Sequence, residues 1–242
     1  MWFKRQTINE YSKQTNNKNS ISLTGFIIAI LGAIMFSTKA IIVKRAFADI
    51  HVAALTLLAL RMLFSLPFYV AAAFINSGKK ENIKFTAKQW FIVFVLGMLG
   101  YYTSSLLDFI GLQYVSAGME RLILFLYPTF AVLINAYWFK QKISAVQKWA
   151  LAITYSGIAL AYFGEINVYA TDKDFIWGSF LIFICAITFS LYIVGSGRMI
   201  PVIGASKFTA YAMLAATFGV LLHFVIAKKL GVQEVNSPLE GS

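Results

Sequence analysis

Residues 25–45 read GFIIAILGAIMFSTKAIIVKR, and residues 178–198 read GSFLIFICAITFSLYIVGSGR. Each is apolar over about the 20 residues that a helix needs to cross the hydrocarbon of a bilayer. An offset of 153 positions lays Gly25 on Gly178, Ala33 and Ile34 on Ala186 and Ile187, Phe36 and Ser37 on Phe189 and Ser190, and Arg45 on Arg198. AIMFS and AITFS therefore hold the same place in two membrane helices, and the flanking glycine and arginine keep the register. We read the two stretches as copies of one helix in an internal repeat.

Working outward, the chain holds seven apolar segments: Leu23–Val43, Ala53–Ile75, Phe91–Leu112, Ala117–Trp138, Lys148–Phe163, Phe175–Gly195 and Phe208–Ala227. The fifth is short for a span. The second copy is the sixth segment, five helices after the first. Five is odd, so the copies cross the membrane in opposite directions, the inverted arrangement of many secondary transporters. The expected fold is an all-α polytopic transmembrane helical bundle of about seven helices, with an inverted five-helix repeat whose second copy is incomplete. The expected organisation is a polar cytoplasmic tail over 1–22, a first five-helix unit over 23–163, a partial second unit of two helices over 175–227 and a polar tail over 228–242. The first tail lacks the apolar core and cleavage site of a signal peptide.

Composition agrees with the segments. Of 242 residues, 59% are hydrophobic and 13% charged, against roughly 45–50% and 25% in soluble domains. A disordered or ordinary water-soluble protein is excluded. The net charge of +11 does not mark a nucleic-acid binder, because the basic residues lie mostly between apolar runs, where they set topology. With the N-terminus inside, cytoplasmic segments hold Lys4, Arg5, Lys13 and Lys18, then Lys79, Lys80, Lys84 and Lys88, then Lys140, Lys142 and Lys148, then Arg198 and Lys207. Outer segments hold only Lys44, Arg45, Lys173, Lys228 and Lys229, with Glu165, Asp172 and Asp174 among them. That asymmetry favours a multi-pass protein of the cell inner membrane with a cytoplasmic N-terminus. Trp90, Trp138 and Trp149 then mark the inner interface and Trp177 the outer one.

The chain resembles the EamA family of the drug/metabolite transporter superfamily. The resemblance is carried by GAIMFSTKAIIVK in the first helix, LALRMLFSLPF in the second, and GLQYVSAGMERLILFLYPTFAVLINAYWF from the third helix into the fourth. It runs from about Gly25 to Phe163 and again from Gly178 to about Ala227. It implies ten helices in two inverted units, a cytoplasmic N-terminus and transport of small metabolites without ATP hydrolysis. Two departures stand out. The family often carries a Glu just after the fourth helix, where this chain has Gln141 in FKQKIS, and the eighth to tenth helices are absent.

A charge at the centre of a membrane helix costs about 2.5–3.5 kcal/mol on insertion scales, so such residues face a cavity or a partner. Lys39, Asp108, Glu120 and Arg121 each lie roughly 5–6 Å inside the outer ends of their segments, and Arg61 about 12 Å inside, at 1.5 Å per residue. All five fall in the outer half of the bilayer, which points to an outward-opening polar cavity. Lys39 either lines it or snorkels to the headgroups. Arg61 is too deep to snorkel easily and is read as a cavity residue or half of a buried pair. Asp108 shares a helical face with Gly97, Tyr101 and Ser105, spaced by four, four and three residues. That face serves a substrate or a packed neighbour. Glu120 sits in a first helical turn, where the dipole favours an acid as a cap. The same dipole disfavours Arg121, for which Asp108 is the expected partner. Pro128 should kink the fourth helix, and Pro67 invites the same reading with less weight.

The leading function is a secondary transporter of a small polar metabolite, working by alternating access across the cytoplasmic membrane. No Walker-type glycine loop marks an ATP site. The resemblance implies amino acids, amines or nucleoside-like compounds such as S-adenosylmethionine as substrates. Cysteine is limited to Cys185, inside an apolar run, and His51 and His223 have no carboxylate at ligand spacing. No catalytic residue, metal or cofactor is therefore assigned, and no enzyme activity is expected. A seven-helix receptor or retinal protein fits poorly, since the charges oppose an outside N-terminus and the seventh helix has no central lysine. The expected partners are the lipid bilayer and a small-molecule substrate, with no nucleic acid. The polar tail KKLGVQEVNSPLEGS leaves a further alternative: a truncated or split carrier, inactive unless a second copy in a homo-dimer or a complementing half-transporter covers its last helices.

Overall fold

The computed structural model describes residues 23–50, 52–77, 85–169 and 173–231. The tail over 1–22, His51, the loop lysines Lys79, Lys80 and Lys84, Asp172 and the tail from 232 onward lie outside the described residues. Among those described, the chain forms helices and no strand. They are α1 (Leu23–Ile50), α2 (Ala54–Ser77), α3 (Ala87–Tyr114), α4 (Ala117–Phe139), α5 (Ala145–Tyr169), α6 (Lys173–Ile203) and α7 (Ala205–Lys229). Six of them, all but α5, are long and apolar enough to cross a membrane. The chain is thus a polytopic transmembrane helical bundle.

Local chemistry sets the boundaries. Helix α3 starts at Ala87, ahead of the expected Phe91, because Thr86 and Gln89 form a capping box. The Thr86 hydroxyl accepts from the Gln89 amide at 3.3 Å, and the Thr86 amide donates to the Gln89 side chain at 2.9 Å. Ser144 and Gln147 repeat the arrangement ahead of α5. With 25 residues, α5 is longer than the expected Lys148–Phe163. Helix α6, at 31 residues, likewise overruns the expected Phe175–Gly195. Such reciprocal caps satisfy amide donors that would otherwise face the interface without partners.

Two spans are not continuous α-helix. Within α3, Met98–Thr103 is π-helical, a widened turn that inserts a residue into the ladder. Within α4, the helix breaks at Phe125 and Leu126 between Ala117–Leu124 and Tyr127–Phe139, and Pro128 opens the second piece. The kink expected from Pro128 is therefore a break one turn ahead of the ring, since proline fits a helix start and disrupts a helix interior.

The chain divides into two compact units, residues 1–39 and 40–242. In the first, the described part of α1 exposes Phe26, Ile27, Leu31, Ile34 and Met35, side chains suited to lipid. In the second, α3 packs against α6 and α7, α7 also packs against α2, and α4 packs against α6. One apolar cluster joins Phe47 of α1, Leu58 and Met62 of α2, Phe109 and Leu112 of α3 and Val220 of α7. A second joins Met119 and Ile123 of α4 to Ile182 and Cys185 of α6. A third joins Val93 of α3, Tyr192 of α6 and Phe208 of α7.

Close approach of α3 and α6 depends on glycine. A Cβ built on Gly178 would lie 2.9 Å from the Gly111 carbonyl oxygen, and one on Gly111 would lie 2.9 Å from that of Gly178. Small residues at such contacts let membrane helices gain van der Waals contact that larger ones would prevent.

Candidate functional site

Where α3 meets α2, α6 and α7, polar side chains interrupt the apolar packing. Arg61 of α2 sets its guanidinium carbon 5.5 Å from the centre of the Phe109 ring. Its positive charge interacts with Asp108 and lies near Tyr69 and Tyr101. Asp108 is 2% exposed, so its carboxylate acts on Arg61 through protein rather than water, where such interactions are screened least. Tyr101 reaches across to α6, its hydroxyl 2.7 Å from that of Tyr192.

The π-helical turn organises the next contacts. Ser104 donates from its hydroxyl to the Leu99 carbonyl at 2.7 Å, and the same oxygen lies 2.8 Å from the Thr188 hydroxyl of α6. The same Leu99 carbonyl accepts from the Ser104 backbone amide, so residue 104 closes the widened turn twice. Tyr102, one residue beyond Tyr101, turns to α7 and meets Nδ1 of His223 at 2.9 Å. Consecutive tyrosines in the turn thus contact different helices.

These placements revise the expected face of α3. The expected face passes through the π-helical turn, which contains Tyr101 and separates Gly97 from Ser105 and Asp108. A Cβ on Gly97 would collide with the Ala212 backbone of α7, whereas Tyr101 meets Tyr192 of α6. Ser104 is buried against Thr188, while Ser105 is half-buried.

At the start of α4, Ser116 is the cap, accepting from the Met119 amide at 3.1 Å. Glu120, expected as the cap, is instead fully buried, with Arg121 Nε 3.2 Å from its carboxylate. Lys39 closes the first compact unit, half-buried, with its ammonium 5.8 Å from the Phe36 ring. Helix α1 continues past the expected Val43 to Ile50, so Lys39 is about 16 Å from its end at 1.5 Å per residue. Pro128 is half-buried at the break in α4.

The structure therefore brings together Arg61, Asp108 and Tyr101, and pairs Glu120 with Arg121. It adds Tyr69, Ser104, Thr188, Tyr192, Tyr102 and His223, which the sequence reading did not place in the site. For Tyr192 a signal was present: at the offset of 153 it is the counterpart of Lys39. Ser104 and Tyr102 had none, since their directions depend on the π-helical turn. Among the described residues, no three His, Cys, Asp or Glu side chains form a metal-binding group.

Comparison with known proteins gives a consistent result. The EamA-like transporter family matches residues 23–163. The Bacillus subtilis (strain 168) protein named "Uncharacterized transporter YcbK" is 30% identical over 220 residues, 89% of this chain and 67% of that protein. No solved structure matches.

Proposed function

Because the chain belongs to the EamA-like transporter family, we propose that it is a secondary carrier of a small polar metabolite, operating by alternating access. Arg61 and Asp108 carry the reading: opposite charges on the apolar helices α2 and α3, next to tyrosines from α3 and α6. Charges held at such cost inside a span line a path or bind what moves through it. A guanidinium, a carboxylate and several hydroxyls suit an amino acid, an amine or a nucleoside-like compound. Tyr69, Tyr101 and Tyr192 would form the less polar wall.

In this proposal α1 to α5 form one inverted unit and α6 and α7 begin the other. The path runs where α3 meets α6 and α7. The N-terminus faces the cytoplasm, the membrane is the inner membrane, and Ser105, Glu120 and Arg121 flank the outer mouth. The break before Pro128 gives α4 a place to bend. The alternative of a split carrier completed by a second copy or another half-transporter predicts that the chain alone does not transport.

The test is uptake of labelled amino acids, amines and nucleosides by cells expressing the chain. Arg61→Ala and Asp108→Asn, inserted at wild-type levels, should each lower uptake of the accepted compound by an order of magnitude or more, since each leaves an opposite charge unbalanced in the span. Unchanged uptake in both variants would remove the pair from the path.

A further inference from the structure

We infer that Gly100 is a positioning residue, whose bare backbone seats the Tyr192 ring so that the hydroxyls of Tyr101 and Tyr192 meet. The bearing of that seat on a solute path rests on the carrier reading above, whereas its geometry does not.

Helix α3 holds both ends of one α6 side chain. Gly100 is buried within the π-helical turn Met98–Thr103. A Cβ built on it would collide with Cγ and Cδ2 of Tyr192 and lie 2.6 Å from Tyr192 Cβ. At the far end of the same ring, the Tyr192 hydroxyl is 2.7 Å from that of Tyr101, with the ring centres 4.9 Å apart. Gly100 thus holds the near end by lacking a side chain, and Tyr101 holds the far end with its hydroxyl.

The near end is the rigid one. Backbone geometry fixes a Cβ, so crowding at Tyr192 Cβ is relieved only by moving the backbone of α3 or α6; crowding at Cγ and Cδ2 is relieved also by turning the ring about χ1. Either adjustment is carried along the ring to the hydroxyl, and O–H···O bonds persist only within about 2.5–3.0 Å. The ring is 7% exposed and lies stacked with Phe189 of α6, centres 5.8 Å apart, and with Phe208 of α7, centres 6.1 Å apart. A displaced ring disturbs those contacts too. Arg61 lies near Tyr101 and interacts with Asp108, so the seated tyrosine pair stands beside the charged pair. In the carrier reading, Gly100 thereby sets where the tyrosine wall stands. Helix preference alone favours alanine over glycine, so the seat and the local preference give opposite signs for Gly100→Ala.

The test uses purified variants in nanodiscs with tyrosine labelled by 13C at Cζ, the carbon that bears the hydroxyl. Tyr101→Phe and Tyr192→Phe each delete one signal, which assigns the pair, and each should shift the signal of the remaining partner. Gly100→Ala should shift both signals in those same directions. Gly195→Ala crowds the tip of the Leu96 side chain, also between α3 and α6, and should leave both in place. In a fixed detergent, Gly100→Ala should lower the unfolding temperature by about 3–10 °C. The fall should be less than half as large in a Tyr192→Ala background, where Cγ and Cδ2 are gone. Should Gly100→Ala alone fail to insert, a double variant inserted at the level of Tyr192→Ala supports the seat, and a double variant that also fails overturns it. Unmoved signals in Gly100→Ala, equal movement in Gly195→Ala, or an equal fall in both backgrounds likewise overturns the inference. Neither readout uses a transport substrate, so failure of the carrier reading would register separately.

Discussion

Tyr192 stands at the position of α6 that corresponds to Lys39 of α1 at the offset of 153. The structure joins its hydroxyl to that of Tyr101 at 2.7 Å. Hydrogen bonds between membrane helices average about 0.6 kcal/mol, so Tyr192→Phe should leave thermal stability nearly unchanged. If the hydroxyl contacts the substrate, the same variant should weaken apparent affinity several-fold at near-normal protein level, measured by uptake against substrate concentration. Charged candidates were legible one by one, because apolar surroundings make a charge conspicuous. Their partners were not. Proximity in sequence suggested Asp108 for Arg121; that the Arg121 Nε also lies 3.2 Å from the carboxylate of its neighbour Glu120 was not foreseen. Asp108 interacts with Arg61 of α2, a tertiary relation that no local spacing encodes.

At the scale of the element, α3 holds most of the information. Its termini could have been read more closely, since threonine followed three residues later by glutamine is a capping pattern. Its π-helical turn could not, because no local residue pattern announces it and the regular spacing of Gly97, Tyr101, Ser105 and Asp108 argues against it. Ser104→Ala should cost about 1 kcal/mol through the lost bonds to Leu99 and Thr188, and amide exchange should rise locally over Met98–Thr103. Gly111→Val should cost more, about 1–3 kcal/mol, because it pushes α3 off the Gly178 backbone. Thermal unfolding in a fixed detergent would rank the two, and a Gly111→Val protein as stable as wild type would contradict the close packing of α3 on α6.

For the whole molecule, the number and order of apolar segments were legible because lipid imposes length and composition at once. All seven appear as helices, with ends shifted by caps and by runs beyond the apolar core. Charge asymmetry adds the expected orientation. Alternating phosphatase and fluorescent-protein fusions should place the N-terminus and the α2–α3 loop inside, and an active phosphatase at that loop would reverse the topology. The central claim concerns movement of a solute without ATP. The direct measurement is counterflow in proteoliposomes containing this chain alone, preloaded with an unlabelled amino acid, amine or nucleoside and exposed to a trace of the labelled compound. Alternating access predicts transient accumulation of label above its outside concentration in preloaded vesicles, absent from empty ones and from Asp108→Asn. With every compound of the panel giving the same label in preloaded, empty and protein-free vesicles, the chain would not by itself be a carrier of these solutes.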